Sequence, residues 1–477
     1  MPTLPNNGIS RRFKRTCAIA SSAACLLAIS PAYAESIQQA LIGAYNYSPQ
    51  LRGEQARLRA VDESLAQAQS GYRPTISSEF DFTSQTTRSD PSAPGDGTVN
   101  PRTSTLSAVQ PLFDGFQTLN NVKQADANIK AERENVRNVE ASVLLAAATA
   151  YADVVRDRNI LSVRDQNVSL LNEELRSVKA RFDVGEVTRT DVEQARSTLA
   201  AAQSAQAVAK ASLRNSAARY QLAIGTPPTR LVEPMAPVRL LPAHVEEAIS
   251  AAVAARPSVV QAAFLEQAQR SNIRSLTGQL LPKIELDASV SETDAPGGGT
   301  KEVETSKITG RIVVPIYEAG NTRAQIRAAK ETRQGLLENI QQAREQAQSD
   351  ASTAWSLYQQ SRAQLEADQI QVNSAAVALQ GVRAELQVGQ RTELDVLNAL
   401  QTQLTAQVSV VSDKHDIVVN AYTLLATMGR LTADGLRLGT RQYDVEAHYN
   451  QTNGKWLDIR VSREEGYAGY DIGLGQK

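Results

Sequence analysis

The sequence predicts an α+β membrane protein built twice from one unit, in which a strand pair feeds a very long helix. Three observations predict it. Two stretches repeat each other in unbroken register, short segments alternate apolar and polar residues as barrel strands do, and heptads run through long stretches without proline.

The repeat is visible residue by residue. Pro111-Leu-Phe-Asp-Gly returns 204 residues later as Pro315-Ile-Tyr-Glu-Ala, and Thr149-Ala-Tyr returns as Thr353-Ala-Trp. Val184-Gly-Glu-Val-Thr-Arg-Thr-Asp-Val returns as Val388-Gly-Gln-Arg-Thr-Glu-Leu-Asp-Val, and Gly225 as Gly429. This divides the chain into residues 35–235, residues 236–436 and a polar tail over 437–477, which is expected to be irregular.

Residues 1–34 read as a signal peptide. Arg11, Arg12, Lys14 and Arg15 precede an apolar run from Cys17 to Ile29, and Ala32-Tyr-Ala34 is a small-x-small cleavage signal. A run of about 13 residues is too short to cross a ~30 Å hydrocarbon layer as a helix. Both cysteines, Cys17 and Cys25, fall inside this segment, so the processed chain has no thiol chemistry and no cysteine to acylate. Its loss takes the formal net charge from −1 to about −5, which leaves no basic field for nucleic acid. Aromatics make up only 5% of the chain, poor material for a thick core but suited to helices packed through small side chains.

The strands come next. Ile284, Leu286, Ala288 and Val290 share one face, opposite Lys283, Glu285, Asp287 and Ser289. Ile308, Ile312, Val314 and Ile316 oppose Lys307, Thr309 and Arg311, and Asp294–Thr300 between them is a loop by its Pro and Gly content. A weaker hairpin occupies residues 73–113, matching the one over 282–316. Strands of about ten residues with one apolar and one polar face fit a barrel wall between lipid and water. Amphipathic hairpins lying on a soluble core would show the same local pattern.

No later stretch has about 18 consecutive apolar residues, so a membrane role has to use strands. Helices are expected over 117–183 and 321–387. Leu161, Val168, Leu175 and Phe182 fall seven apart, as do Leu365, Val372, Leu379 and Leu386 in the second repeat. Shorter helices over 190–223 and 393–428, together with Pro49–Gly71 and Pro257–Gly278, match the long ones in summed length. They are expected to stack along them.

Between long and short helix lie Val184-Gly185 and Val388-Gly389. Each glycine suits the left-handed residue that closes a helix, and Thr188/Asp191 and Thr392/Asp395 have capping-box spacing. The aspartates are therefore expected in a helix first turn. Converging copies of these turns would also line the narrowest opening of a tube. Asp395 carboxylates would then form an acidic ring, with Arg391 near Asp191 holding neighbouring hairpins together. One chain supplies only four strands, and an open edge cannot persist in lipid, so closure needs further copies. A water-filled duct calls for three or more, because eight strands enclose only side chains.

In the order and duplication of these motifs the chain resembles the TolC family of outer-membrane efflux and type I secretion ducts, from about Ser36 to Leu436. The resemblance implies a homotrimer with a twelve-stranded barrel in outer-membrane lipid, continuous with a twelve-helix tube through the periplasm. It also implies a periplasmic adaptor and an inner-membrane pump of ABC or RND type docking at the lower end. By motif position it places Asp191 and Arg391 on the contacts that close the entrance and Asp395 on an acidic ring. Gly185, Thr188, Gly389 and Thr392 fall at the adaptor-docking tips. Asn398 stands where a second ring aspartate is expected and Leu386 where a tyrosine often adds to closure, so a single acidic ring is expected. The chain resembles the non-lipidated branch.

The histidines His244, His415 and His448 are scattered without metal-ligand spacing, and His415 is expected on a solvated face. No Gly-x-Ser-x-Gly elbow or phosphate loop occurs, so the chain reads as no enzyme and as needing no cofactor. The rival reading is a soluble periplasmic coiled-coil adaptor or stalk, which explains the heptads but not the duplicated strands.

Overall fold

A computed structural model describes residues 35–91, 96–294 and 301–456. The signal segment, both cysteines, two loop tips and residues 457–477 lie outside the described residues. The elements in chain order are α1 (Ile37–Tyr47), α2 (Pro49–Gln69), β1 (Thr75–Phe82), β2 (Gln85–Thr87), β3 (Gly97–Val99), β4 (Arg102–Phe113), α3 (Gln117–Asp183) and α4 (Arg189–Ile224). Then follow α5 (Val245–Ala255), α6 (Pro257–Gly278), β5 (Lys283–Asp294), β6 (Glu302–Val313), α7 (Asn321–Gln387), α8 (Glu393–Thr427) and α9 (Ala447–Thr452).

The corner from strand into long helix has the same construction twice. Two consecutive residues turn left-handed: Gly115 (φ 73°) and Phe116 (φ 62°) in the first repeat, Ala319 (φ 52°) and Gly320 (φ 80°) in the second. A left-handed backbone strains any residue with a Cβ, and glycine relieves one of the two places in each corner. Asp114 then caps α3, accepting from the backbone N–H of Gln117 at 3.1 Å and of Thr118 at 2.6 Å. This accounts for the acidic residue of the first Pro-x-x-acid motif; in the second, Glu318 lies 3.5 Å from Arg323 instead.

Each long helix has 67 residues, about 100 Å at 1.5 Å per residue. α4 runs back along α3, α8 along α7, and α6 packs on both α3 and α7, so the two repeats share one core. Small side chains permit this close approach. Ala147, Ala148, Ala347 and Ala351 are fully buried, and Tyr151 and Tyr220 fill the larger gaps. A second apolar cluster, which includes Leu175, Val178, Leu379 and Val396, sits at the far ends of the long helices.

Stretches of α3 and of residues 245–278 are apolar enough to pass for membrane helices by composition. More than half of the α3 window is buried against other helices, and extended Arg256 with Pro257 splits the second stretch in two.

The four long strands form one antiparallel sheet in the order β1-β4-β5-β6, with the repeats joined at β4–β5. The register puts Ile76 beside Ala108, Ala108 beside Ala288 and Ala288 beside Ile308. Phe80, Leu106, Leu286, Val290 and Ile312 fall on that same face by alternation, all exposed. Ser107, Ser289, Asp287 and Arg311 occupy the opposite face, where Arg311 lies 3.2 Å from Asp287. β2 and β3 add a small separate hairpin.

The described part of the tail, residues 437–456, is irregular apart from α9, but it and the residues just after Gly429 are packed. Leu431, Ala433 and Leu438 are buried, and the Ala433 N–H donates to Glu140 at 2.6 Å. α9 packs on α2, where His448 Nδ1 lies 3.1 Å from the buried Asp62 carboxylate. A short polar segment acquires fixed structure here because its few apolar and ring side chains find partners on distant helices.

Candidate gate at the helix-hairpin tips

The turns joining α3 to α4 and α7 to α8 are near copies. Gly185 (φ 83°) and Gly389 (φ 76°) take the left-handed conformation, and neither has anything within 4 Å of where a Cβ would stand. Their N–H groups donate to Phe182 and Leu386 carbonyls at 2.9 and 3.0 Å, and the following N–H groups to Arg181 and Glu385 at 2.9 Å each. This satisfies the last carbonyls of both long helices. Val184 and Val388 stand out at the tips, 72% and 70% exposed.

Capping boxes open both short helices. Asp191 Oδ2 accepts from the Thr188 N–H and hydroxyl at 2.8 Å each, and the Asp191 N–H donates back to Thr188 Oγ1 at 3.4 Å. Asp395 repeats this with Thr392 at 2.9, 2.8 and 3.3 Å. These bonds hold both carboxyls below the usual carboxylate range, with the Thr188 hydroxyl leading at Asp191 and the Thr392 N–H at Asp395. Both stay ionised, and in each the second oxygen is left to a further partner. Asn398 is exposed one turn beyond Asp395, and Leu386 packs on the tip cluster.

Within one chain Arg391 and Asp191 are not brought together. Arg391 Nε donates instead to Glu385 Oε2 at 2.7 Å, an exposed pair. The link between the hairpins of one chain comes from residues that the repeat pattern did not single out. Arg181, on the last turn of α3, ion-pairs with Glu393 on the first turn of α8. Glu174 and Arg383 lie beside them, 3.9 Å apart. These groups meet across 212 residues of sequence, a separation that no local spacing reveals.

His415 corrects the reading of a solvated face. Its side chain is 10% exposed and bridges α8 to Asp153 on α3 at 3.0 Å. Among the described residues, no cluster of three His, Cys, Asp or Glu side chains forms a metal-ion cage.

The comparisons with known proteins agree with this architecture. Residues 39–226 and 248–430 match the family described as "Outer membrane efflux protein". The outer membrane efflux protein BepC of Brucella suis is 36% identical over 431 residues, covering 90% of this chain and 93% of BepC. The outer membrane protein TolC of Escherichia coli is 23% identical and covers 84% of each chain. In the solved structures, the outer membrane protein VceC of Vibrio cholerae has the same fold, with a TM-score of 0.71 and 18% identity. It covers 82% of this chain and 96% of its own. The two matched segments take in both hairpin tips and both halves of the sheet, and the chain belongs to the outer membrane efflux protein family.

Proposed function

We propose that three copies of this passive outer-membrane channel close a twelve-stranded barrel and a twelve-helix tube, the exit duct of a tripartite efflux or type I secretion system. One observation carries the reading. A four-stranded sheet with an exposed apolar face and a polar face has one chain neighbour at each edge strand, and its strands run on into helices about 100 Å long. Edge strands cannot remain unpaired in lipid, so β1 of one copy pairs with β6 of the next. The tube points into the periplasm, where a periplasmic adaptor takes hold of the tips around Gly185, Thr188, Gly389 and Thr392 and an inner-membrane ABC or RND pump supplies cargo. The exposed Val184 and Val388 give that adaptor an apolar foothold.

In the assembled tube the hairpins converge, so that Arg391 of one copy reaches Asp191 of a neighbour and the Asp395 carboxylates ring the axis, with Asn398 just inside. A soluble stalk would have no use for the two-faced sheet. The mature protein, purified in detergent, should sediment as a trimer, migrate heat-modifiably and form ion-conducting pores in planar bilayers. A monomer that extracts without detergent would refute the assignment.

A further inference from the structure

The seam between the two hairpins holds a charged cluster that neither the caps nor the expected gate residues use. Arg181 ties α3 to Glu393 of α8. The Glu393 side chain is 4% exposed, and the Glu174 side chain, two turns up α3 and 16% exposed, faces it. Yet Glu393 Oε1 is buried without a partner. A proton between the carboxyls would reconcile the two facts, because two carboxylate oxygens are both acceptors and cannot bond each other when ionised.

The neighbouring charges do not remove the need for that proton. Arg383 of α7 is 3.9 Å from Glu174, too far for a hydrogen bond. On α4, Asp191 is engaged with Thr188. On α7 Glu385 is engaged with Arg391, and on α8 Asp395 is engaged with Thr392. The positive end of α8 favours an ionised Glu393, but burial and the facing Glu174 oppose it.

We infer that Glu174, Glu393 and Arg181 form a proton-loaded clasp holding the two hairpins of one chain together, and that loss of the proton to water frees the start of α8. As a gating device this rests on the duct reading above. Burial, then the Glu174 carboxyl, push Glu393 up to about 7 against the pull of Arg181. A raised carboxyl pKa gives a contribution that is complete below the ordinary value of 4.5 and lost as pH rises through about 7. The clasp is therefore tight in acid and slack in mild alkali, where the two facing carboxylates repel each other.

The test is hydrogen exchange of the detergent-solubilised full protein at about pH 5.5, 7 and 8.5, corrected for intrinsic rates and followed in peptides spanning residues 386–400. Wild-type exchange should quicken at least about tenfold from the lowest to the highest pH, a tenfold step being one pKa unit. Glu393→Gln, which cannot ionise, and Glu174→Gln, which removes the facing charge, should each flatten that dependence. A pH-independent wild type, or a Glu393→Gln variant with the wild-type profile, overturns the clasp. Single-channel conductance over the same range separates the two readings. Failure to conduct at any pH counts against the duct, while the exchange result still decides the clasp.

Discussion

His415 Nε2 on α8 lies 3.0 Å from Asp153 Oδ1 on α3, and its Nδ1 lies 2.8 Å from the Asp416 carboxylate. Burial disfavours the imidazolium and Arg156 repels it, yet the bonds to Asp153 and Asp416 prevail and raise the histidine pKa. A raised histidine contributes fully below its ordinary value near 6.5 and loses that contribution as pH climbs through the folded value. His415→Phe should therefore cost roughly 1.5–3 kcal/mol at pH 5.5, the range for a hydrogen bond to a charged group. The gap from wild type should narrow as pH rises and the imidazolium is lost. Thermal unfolding in detergent at pH 5.5 and at higher pH checks this, and a gap of constant size would assign the loss to packing.

Gly429 and Gly389 are both left-handed but differ in their surroundings. A Cβ at Gly429 would stand 2.5 Å from the Ala255 carbonyl oxygen, whereas one at Gly389 meets nothing within 4 Å. Alanine at 389 incurs only the left-handed penalty of about 1–2 kcal/mol. At 429 the same substitution must also force the α5–α6 junction away from the end of α8. Gly389→Ala should fold with a slightly lowered midpoint, and Gly429→Ala should lose most of its folded yield. Matching midpoints for the two would show that the close approach is not fixed.

The long helices and tips were legible because their signals are local: heptads, a left-handed glycine and Thr-x-x-Asp boxes each act within about one or two helical turns. α1 opens on a box of the same kind, Ser36 with Gln39, and Pro49 begins α2. The pairing of β4 with β5, the seat of His448 on Asp62 and the Arg181–Glu393 pair join residues about 170 or more apart. These contacts are set by how the helices pack, which local spacing does not encode. At the tips, the spacing of Thr188 with Asp191 gave the cap directly, whereas Arg391 turned to Glu385, six residues back, instead of to Asp191.

That pair gives a discriminating experiment. Arg391 and Glu385 are both largely exposed, and such pairs contribute little. Glu385→Gln should leave single-channel conductance unchanged, while Arg391→Ala and Asp191→Asn should each raise it by breaking a contact between copies. A rise in Glu385→Gln equal to that in Arg391→Ala would confine Arg391 to its own chain.

Asp395 is held below the usual carboxylate range, first by the Thr392 N–H and then by its hydroxyl. A lowered carboxyl stays charged until the pH falls through its depressed value, so cation block of the pore should be level between pH 5 and 8. Asp395→Asn keeps an oxygen for the cap and removes the charge. It should weaken block by trivalent cations added from the tip side and leave thermal stability close to wild type. Unaltered block in this variant would remove Asp395 from the conduction path.

Ile308 and Thr309 are successive residues of β6 and lie on opposite faces of the sheet. Ile308 is 78% exposed on the apolar face, a placement that suits lipid and not water. An arginine on a lipid face costs about 2–4 kcal/mol at mid-membrane, whereas one on the lumen side adjusts selectivity. Ile308→Arg should therefore lower the folded fraction in urea titrations of vesicle-inserted protein, and Thr309→Arg should fold normally and shift ion selectivity. Equal destabilisation by the two substitutions would mean that β6 does not separate lipid from water, and the barrel would lose its outer wall.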